Sequence, residues 1–259
     1  MARNPVYYQG ADTSAGPCPS IWGDCPWLEM IADPRQGYLL WDDFTQFTDD
    51  TGNGWIISGT NDTHVLDADQ VGGVLNLGVA GADNDDAYMS SGNNEQGIGK
   101  IYSTTPRDLW FEARVQMSSV TDMAHFIGMA EEGLAAADTL ANDTGALASK
   151  DFVGFHADTA APTALDAVWR KATKTAQVHK AGAKTIAIST WYKLGFRYHA
   201  ATDTLRYYVD GTQVGTDLDV SGATDFPDGE ELCILIGIHD GAGAASNIKI
   251  DWVRFAQRR

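Results

Sequence analysis

Carboxylates come first among the residues whose types and spacing could do chemistry. Cleaving a glycosidic bond with retention needs two of them about 5–5.5 Å apart. Glu131 and Glu132 are adjacent, and neighbours on an extended strand point to opposite faces, so this pair reads as a solvated turn ahead of Gly133. Asp83, Asp85 and Asp86 make a second cluster in GADNDDAYMS. Counted as a calcium loop from Asp83, the fifth, sixth and twelfth places hold Ala87, Tyr88 and Asn94, where an oxygen ligand, a glycine and a glutamate are needed. The cluster therefore reads as a polar strand edge or turn, and Asp67 and Asp69 as similarly turn-like. The six histidines are scattered singly, without metal-ligand spacing. His125 and His156 fall on neighbouring expected strands and could meet across a sheet. Nucleophile elbow, phosphate loop and dinucleotide fingerprint are all missing from the sequence. The residues thus predict no catalytic group, no metal site, no cofactor and no enzyme activity.

Bulk charge narrows the partners. With 18 Lys and Arg against 35 Asp and Glu, the net charge of −17 repels phosphate backbones, and no basic cluster offsets it. Nucleic acid is not an expected partner. No apolar run reaches about 18 residues, so no membrane helix is expected, and MARNPVYYQG lacks the apolar core of a signal peptide. Three cysteines, Cys18, Cys25 and Cys233, in a chain of 259 residues favour free thiols made in a reducing cytoplasm.

The elements that must carry any site are strands. Residues 191–214 alternate, with Tyr192, Leu194, Phe196 and Tyr198 on one face and Lys193, Arg197 and His199 on the other. A polar turn at 200–204 and an Asp210–Gly211 turn close this hairpin. Leu109–Met117 alternates in the same way. Further strands are expected at Leu39–Phe44, Trp55–Ile57, Val74–Val79, His125–Ala130, Phe152–Ala157, Ala167–Lys171, Gln177–Lys180, Thr185–Ser189, Leu232–Ile238 and Ile248–Phe255, with AGAK as a turn after Lys180. Residues 131–150 form an Ala-rich insertion with room for one helical turn. Residues 1–40 hold five of the eight prolines together with Tyr7, Tyr8, Trp22, Trp27 and Tyr38. Proline at that density blocks regular strand and helix, leaving an extended arm with a short helical turn at Trp27–Ala32. The arm packs on its own domain or on a neighbour, and Tyr7, Tyr8, Trp22 and Trp27 are the expected partner-binding residues. The domains expected are this arm and an all-β sandwich over 41–259.

Three segments, FEARVQM at 111–117, the hairpin ending in YYVDGTQV, and IKIDWVRFAQ at 248–257, resemble the concanavalin A-like, laminin-G-like jelly rolls that include family 16 glycoside hydrolases. WDDF at 41–44 looks like the first strand of that fold, which pairs with the last. The resemblance implies two facing antiparallel sheets with a family motif E-x-D-x-x-E after the FEARV strand, and that motif is absent there. The arm NPVYYQG, WDDF, DNDDAYMSSG and the pair FIGMAEEG…DFVGFHADT also resemble tailed-phage head decoration and structural proteins. This implies a virion protein on the capsid exterior, made in the host cytoplasm. It would bind the major capsid protein as a homo-oligomer, trimer favoured over dimer, with the arm spread across neighbouring subunits. The alternative is a carbohydrate-binding lectin-like module or host-glycan adhesin, with Trp110 and Trp169 as the stacking surfaces.

Overall fold

Alternation along the strands generates two sheets whose inner faces are apolar. The computed structural model describes residues 15–47, 54–68, 72–91, 97–101, 105–134, 139–243 and 245–259. Two short helices come first, α1 (Pro19–Trp22) and α2 (Trp27–Ala32). Sheet A holds β1 (Gly37–Asp42), β3 (Asp62–Leu66), β4 (Leu75–Val79), β7 (Leu109–Met117), β12 (Trp191–His199), β13 (Thr204–Val209), β14 (Thr212–Asp219) and β16 (Ser246–Arg258). Its order is β14-β13-β12-β7-β16-β4-β3, with β1 also on β16. Sheet B holds β2 (Trp55–Thr60), β5 (Asp86–Ser91), β6 (Gly99–Lys100), β8 (Met123–Glu131), β9 (Phe152–Ala157), β10 (Ala164–Arg170), β11 (Gln177–Thr185) and β15 (Glu231–Asp240). Its order is β11-β10-β9-β8-β15-β5-β2, with β6 also on β15. All pairings are antiparallel, which is the two-sheet jelly roll expected from the sequence.

Leu109, Phe111, Ala113, Val115 and Met117 of β7 meet Ile127 and Met129 of β8 and Val153 and Phe155 of β9 in one inter-sheet core. Tyr207 crosses it: its ring lies 5.6 Å from Phe155, and its hydroxyl donates to the Val168 carbonyl at 2.7 Å. Asp210 and Gly211 both have positive φ, 50° and 78°, which gives the tight turn between β13 and β14 the twist that the strands need. The first and last strands pair, with Trp41 opposite Arg254.

Three local expectations change. AGAK is not a turn: β11 runs through it, bulged at Gly182 (φ 57°), whose N–H donates to Asp166 Oδ1 at 2.6 Å. In DNDDAYMSSG, Asp83 and Asp85 stay in the turn expected of them, and Asp86 opens a strand, β5, that was absent from the expected strands. The arm's described part, from residue 15, packs against sheet A: the helical turn expected at Trp27–Ala32 is α2, the extended stretch before it instead contains α1, and β1 runs Gly37–Asp42 rather than Leu39–Phe44. Tyr7 and Tyr8 lie outside the described residues.

Candidate functional site

Both outer faces of the sandwich are covered, each by its own segment. Over sheet A, Ile21, Trp22, Cys25 and Met30 pack against Trp110, Tyr208 and Ala256. Polar hooks fix the segment. The Trp252 indole N–H donates to the Ala15 carbonyl at 2.8 Å and Lys193 Nζ to the Gly16 carbonyl at 3.2 Å. Glu112 Oε2 accepts from the Cys18 N–H at 3.0 Å and from the Trp22 indole at 2.8 Å. Asp24 accepts from the Trp110 indole at 3.2 Å and pairs with Arg197. Glu112, Lys193 and Arg197, polar positions in an alternating pattern, are therefore buried latches. Burial raises the Glu112 carboxyl pKa against the pull of its donors and of Lys193.

This geometry decides the sequence-derived aromatic candidates. Trp110 is 1% exposed under α1, with Arg197 over its ring, so it offers no stacking surface. Trp169 points inward to the core and lies 6.4 Å from His179. Neither can stack a sugar as folded. Trp22 is buried on its own domain, and Trp27 packs 5.3 Å from Trp41. The surface apolar groups of this region are instead Leu28, Ile31 and Trp41.

Over sheet B the cover is the insertion. Leu140 and Leu147 form a small antiparallel bridge and pack on Tyr88, Phe126, Phe152 and Val168. No helical turn occurs among its described residues. Its neck is drawn shut where Glu131 takes the Asp151 N–H at 2.9 Å and pairs with Lys150 at 2.9 Å. Glu131 is thus a paired neck residue rather than a solvated turn. A trough of about 480 Å³ opens beside the insertion, between it, strands β9 to β11 and the 171–176 turn. Leu147, Val168 and Ala176 make its apolar part, and Asp158, Asp166, His156, Arg170, Thr173 and Lys174 its polar part. Arg170 braces the trough, donating through Nε to the Lys174 carbonyl at 2.9 Å and through Nη1 to the Leu147 carbonyl. His156 Nε2 meets the Gly145 carbonyl at 2.8 Å, and burial lowers its pKa despite Asp158 and Asp166 nearby. The trough can thus offer carboxylate acceptors, an ammonium and hydroxyls around an apolar floor, which suits a polyhydroxylated ligand.

His125 and His156 are on neighbouring strands but do not meet. The register sets Phe126, not His125, opposite His156, so His125 faces the core and His156 the trough. Burial, reinforced by the His156 charge, pushes His125 down to about 4. Asp85 is consumed locally, its oxygens accepting from Asn61 Nδ2 and the Gly81 and Ala82 N–H groups. Among the described residues no group of three or more His, Cys, Asp or Glu could hold a metal ion. The outward positions are Phe126, Gly128 and Ala130 on β8, and Phe152, Gly154 and His156 on β9. The trough residues were missed in the sequence because Asp158 and Asp166 look like isolated turn and strand acids; only the register, with Asp166 opposite His156, brings them together.

No family description and no curated protein sequence matches the chain. Solved structures do. A protein of unknown function from Shewanella oneidensis MR-1 is 12% identical, with a TM-score of 0.59 over 86% of this chain and 87% of its own. Bacillus licheniformis beta-glucanase is 11% identical, with a TM-score of 0.55 over 85% of this chain and 98% of its own. The Emp46p carbohydrate recognition domain, in a potassium-bound form, is 9% identical, with a TM-score of 0.53 over 78% of this chain and 87% of its own. The fold is the concanavalin A-like jelly roll. The expectation of a chain without enzyme activity is corrected at this point. Structures sharing this fold include glucanases, so the scaffold is one that supports catalysis, and the missing E-x-D-x-x-E motif is no ground for excluding it.

Proposed function

We propose that the chain recognises carbohydrate in the trough on the outer face of sheet B. The observation that carries this reading is the trough itself, about 480 Å³, in which Asp158, Asp166 and Lys174 surround the apolar floor at Val168 and Leu147. Sugars present hydroxyls at their edges and C–H groups on their faces, and the trough offers a match for each. The fold agrees, since glucanases and a carbohydrate recognition domain are built on it. The test is a glycan array on the intact protein followed by calorimetry on the hits. Saturable binding that falls at least tenfold in Asp166→Ala or Lys174→Ala supports the reading. Failure of every glycan to saturate, or binding indifferent to both substitutions, refutes it.

A second reading has one observation in its favour. Leu28 (44% exposed), Ile31 (59%) and Trp41 (38%) put an apolar surface outside α2 and β1. Such a patch suits attachment to another protein, and the sequence resemblance to phage virion proteins points to the major capsid protein. On that reading the chain stands on the capsid exterior as a homo-oligomer and presents the trough outward. Counting copies of the chain per capsid subunit in purified particles tests it: a fixed lattice ratio, lost in Leu28→Ser/Ile31→Ser, is expected.

A further inference from the structure

His239 is completely buried, and neither of its ring nitrogens has a hydrogen-bond partner. Folded proteins keep few such groups, because a desolvated polar atom without a partner is a net loss. The side chain shares the outer face of sheet B with Asp86, directly opposite on β5, and with Ala124 on β8. One rung further along, Tyr88, Gly237, Phe126, His156 and Asp166 follow one another across five strands, ending at the trough. The His239 position and the trough are therefore two ends of one continuous surface, and the insertion lies over the span between them.

The cover is anchored at its ends by buried Leu140 and Leu147 and by Arg170 on the Leu147 carbonyl, whereas its tip is fastened at the surface. The Asp143 N–H donates to Asn84 Oδ1 at 2.7 Å, Asn84 Nδ2 returns a bond to Asp143 Oδ1 at 3.2 Å, and Thr159 Oγ1 donates to the Asp143 carbonyl at 2.8 Å. All three bonds are exposed to water, which competes for them. Beneath, Gly145 sits so close that a Cβ there would fall 2.2 Å from the Ala124 Cβ. The fit is tight against β8, yet it leaves the His239 nitrogens unserved.

We infer that residues 139–147 are an opening cap, and that His239 with Asp86 forms a second subsite for sugar hydroxyls beneath it, continuous with the trough. The ligand class follows from the surroundings. Asp86 lies directly opposite His239, and the charges of Asp240, Asp143 and Asp83 also reach the imidazole, so the surroundings disfavour an anion. A neutral imidazole offers one donor and one acceptor, and Asp86 adds a carboxylate of which one oxygen already takes the Thr60 N–H at 2.6 Å. Adjacent hydroxyls of a pyranose match that set. The inference rests on the carbohydrate reading of the trough.

The test titrates the intact protein with an oligosaccharide series of increasing length, built on whichever sugar binds the trough, while side-chain nitrogen signals of the histidines are followed by NMR. Expected are a shift of His239 with the longer members only, an affinity gain with length of at least tenfold, and its loss in His239→Gln with short-sugar binding intact. Asn84→Gly, which unfastens the cap and accepts the φ of 64° at that turn, should strengthen binding of the long members alone. Short-sugar binding with His239 signals and affinities blind to length overturns the inference and leaves the trough reading standing. Failure of all sugars to bind overturns both.

Discussion

Sheets A and B each carry a covering segment on the outer face, and the two covers are held in unlike ways. Over sheet A, buried Glu112 takes two donors from the arm, Asp24 takes two from the sheet, and the backbone carbonyls of Ala15 and Gly16 are bonded by Trp252 and Lys193. Over sheet B, the cap makes water-exposed bonds at its tip and leaves both nitrogens of His239 without partners. Glu112 Oε1 and Arg197 Nε are also without partners over sheet A, but each of those side chains is held through another of its atoms, and such a cover is part of the fold. A cover that leaves a whole buried imidazole unmatched, beside an open trough, is where a ligand is expected to do the matching.

Removing the sheet A latch should give the largest effect. Glu112→Ala strands the buried Cys18 N–H and the Trp22 indole and removes the countercharge of Lys193, and a loss of roughly 4 kcal/mol is expected in urea denaturation. A loss within 1 kcal/mol would mean that the arm is not integral and would erase the contrast between the faces.

Acid comes next. His125 has its pKa pushed to about 4 by burial, against the ordinary 6.5. The unfolded chain therefore binds the extra proton between those values, and the stability from neutral His125, present in full above pH 6.5, is lost as pH falls toward 4. The loss is about 3 kcal/mol by linkage, and His156 and His239, both lowered by burial, act in the same direction. Glu112 and Asp86, raised by burial, act oppositely, contributing more as pH falls through the acid range. Denaturation midpoints against pH check this, with His125→Gln expected to flatten the slope between pH 6.5 and 4.

Trough substitutions should be smaller: Lys174→Ala acts on binding alone, while Asp166→Ala also frees the Gly182 N–H at the β11 bulge and carries a modest stability loss. Lys174→Ala and Asp166→Ala are expected to cost about 1.4 kcal/mol of glycan affinity each, a tenfold loss. Trp110→Ala should instead lower stability, by roughly 3–5 kcal/mol for a buried Trp, and leave glycan affinity within twofold. Equal loss of affinity in Trp110→Ala would put the ligand on the wrong face for this account. The smallest effect belongs to Asn84→Gly, whose clasp is solvent-exposed and whose φ of 64° glycine accepts: under about 1 kcal/mol of stability, with faster amide exchange confined to the cap.

Strands with an alternating core face were legible from residues alone. Leu109–Met117 coincides with β7 because its core face leaves a period of two, and Phe152–Ala157 coincides with β9 as a short apolar run buried on both faces. The covers were not legible. In the sequence, Glu112, Lys193 and Arg197 look like the wet face of a strand, and only a segment more than eighty residues distant reveals them as buried. The arm's tryptophans left packing on its own domain or on a neighbour open, and Trp22 and Trp27 pack on their own sheet, since a sheet face lined by Trp110 and Tyr208 needs cover in each molecule. The trough was invisible because Asp158 and Asp166 become neighbours only through strand register, which the sequence does not state.

The contrast between the faces is tested most directly by amide hydrogen exchange on the intact protein, with and without the tightest-binding glycan. New protection at residues 139–147 and 166–178, with exchange at 15–33 unchanged, is the expected result. Protection appearing at 15–33 in place of the cap and trough would contradict the account.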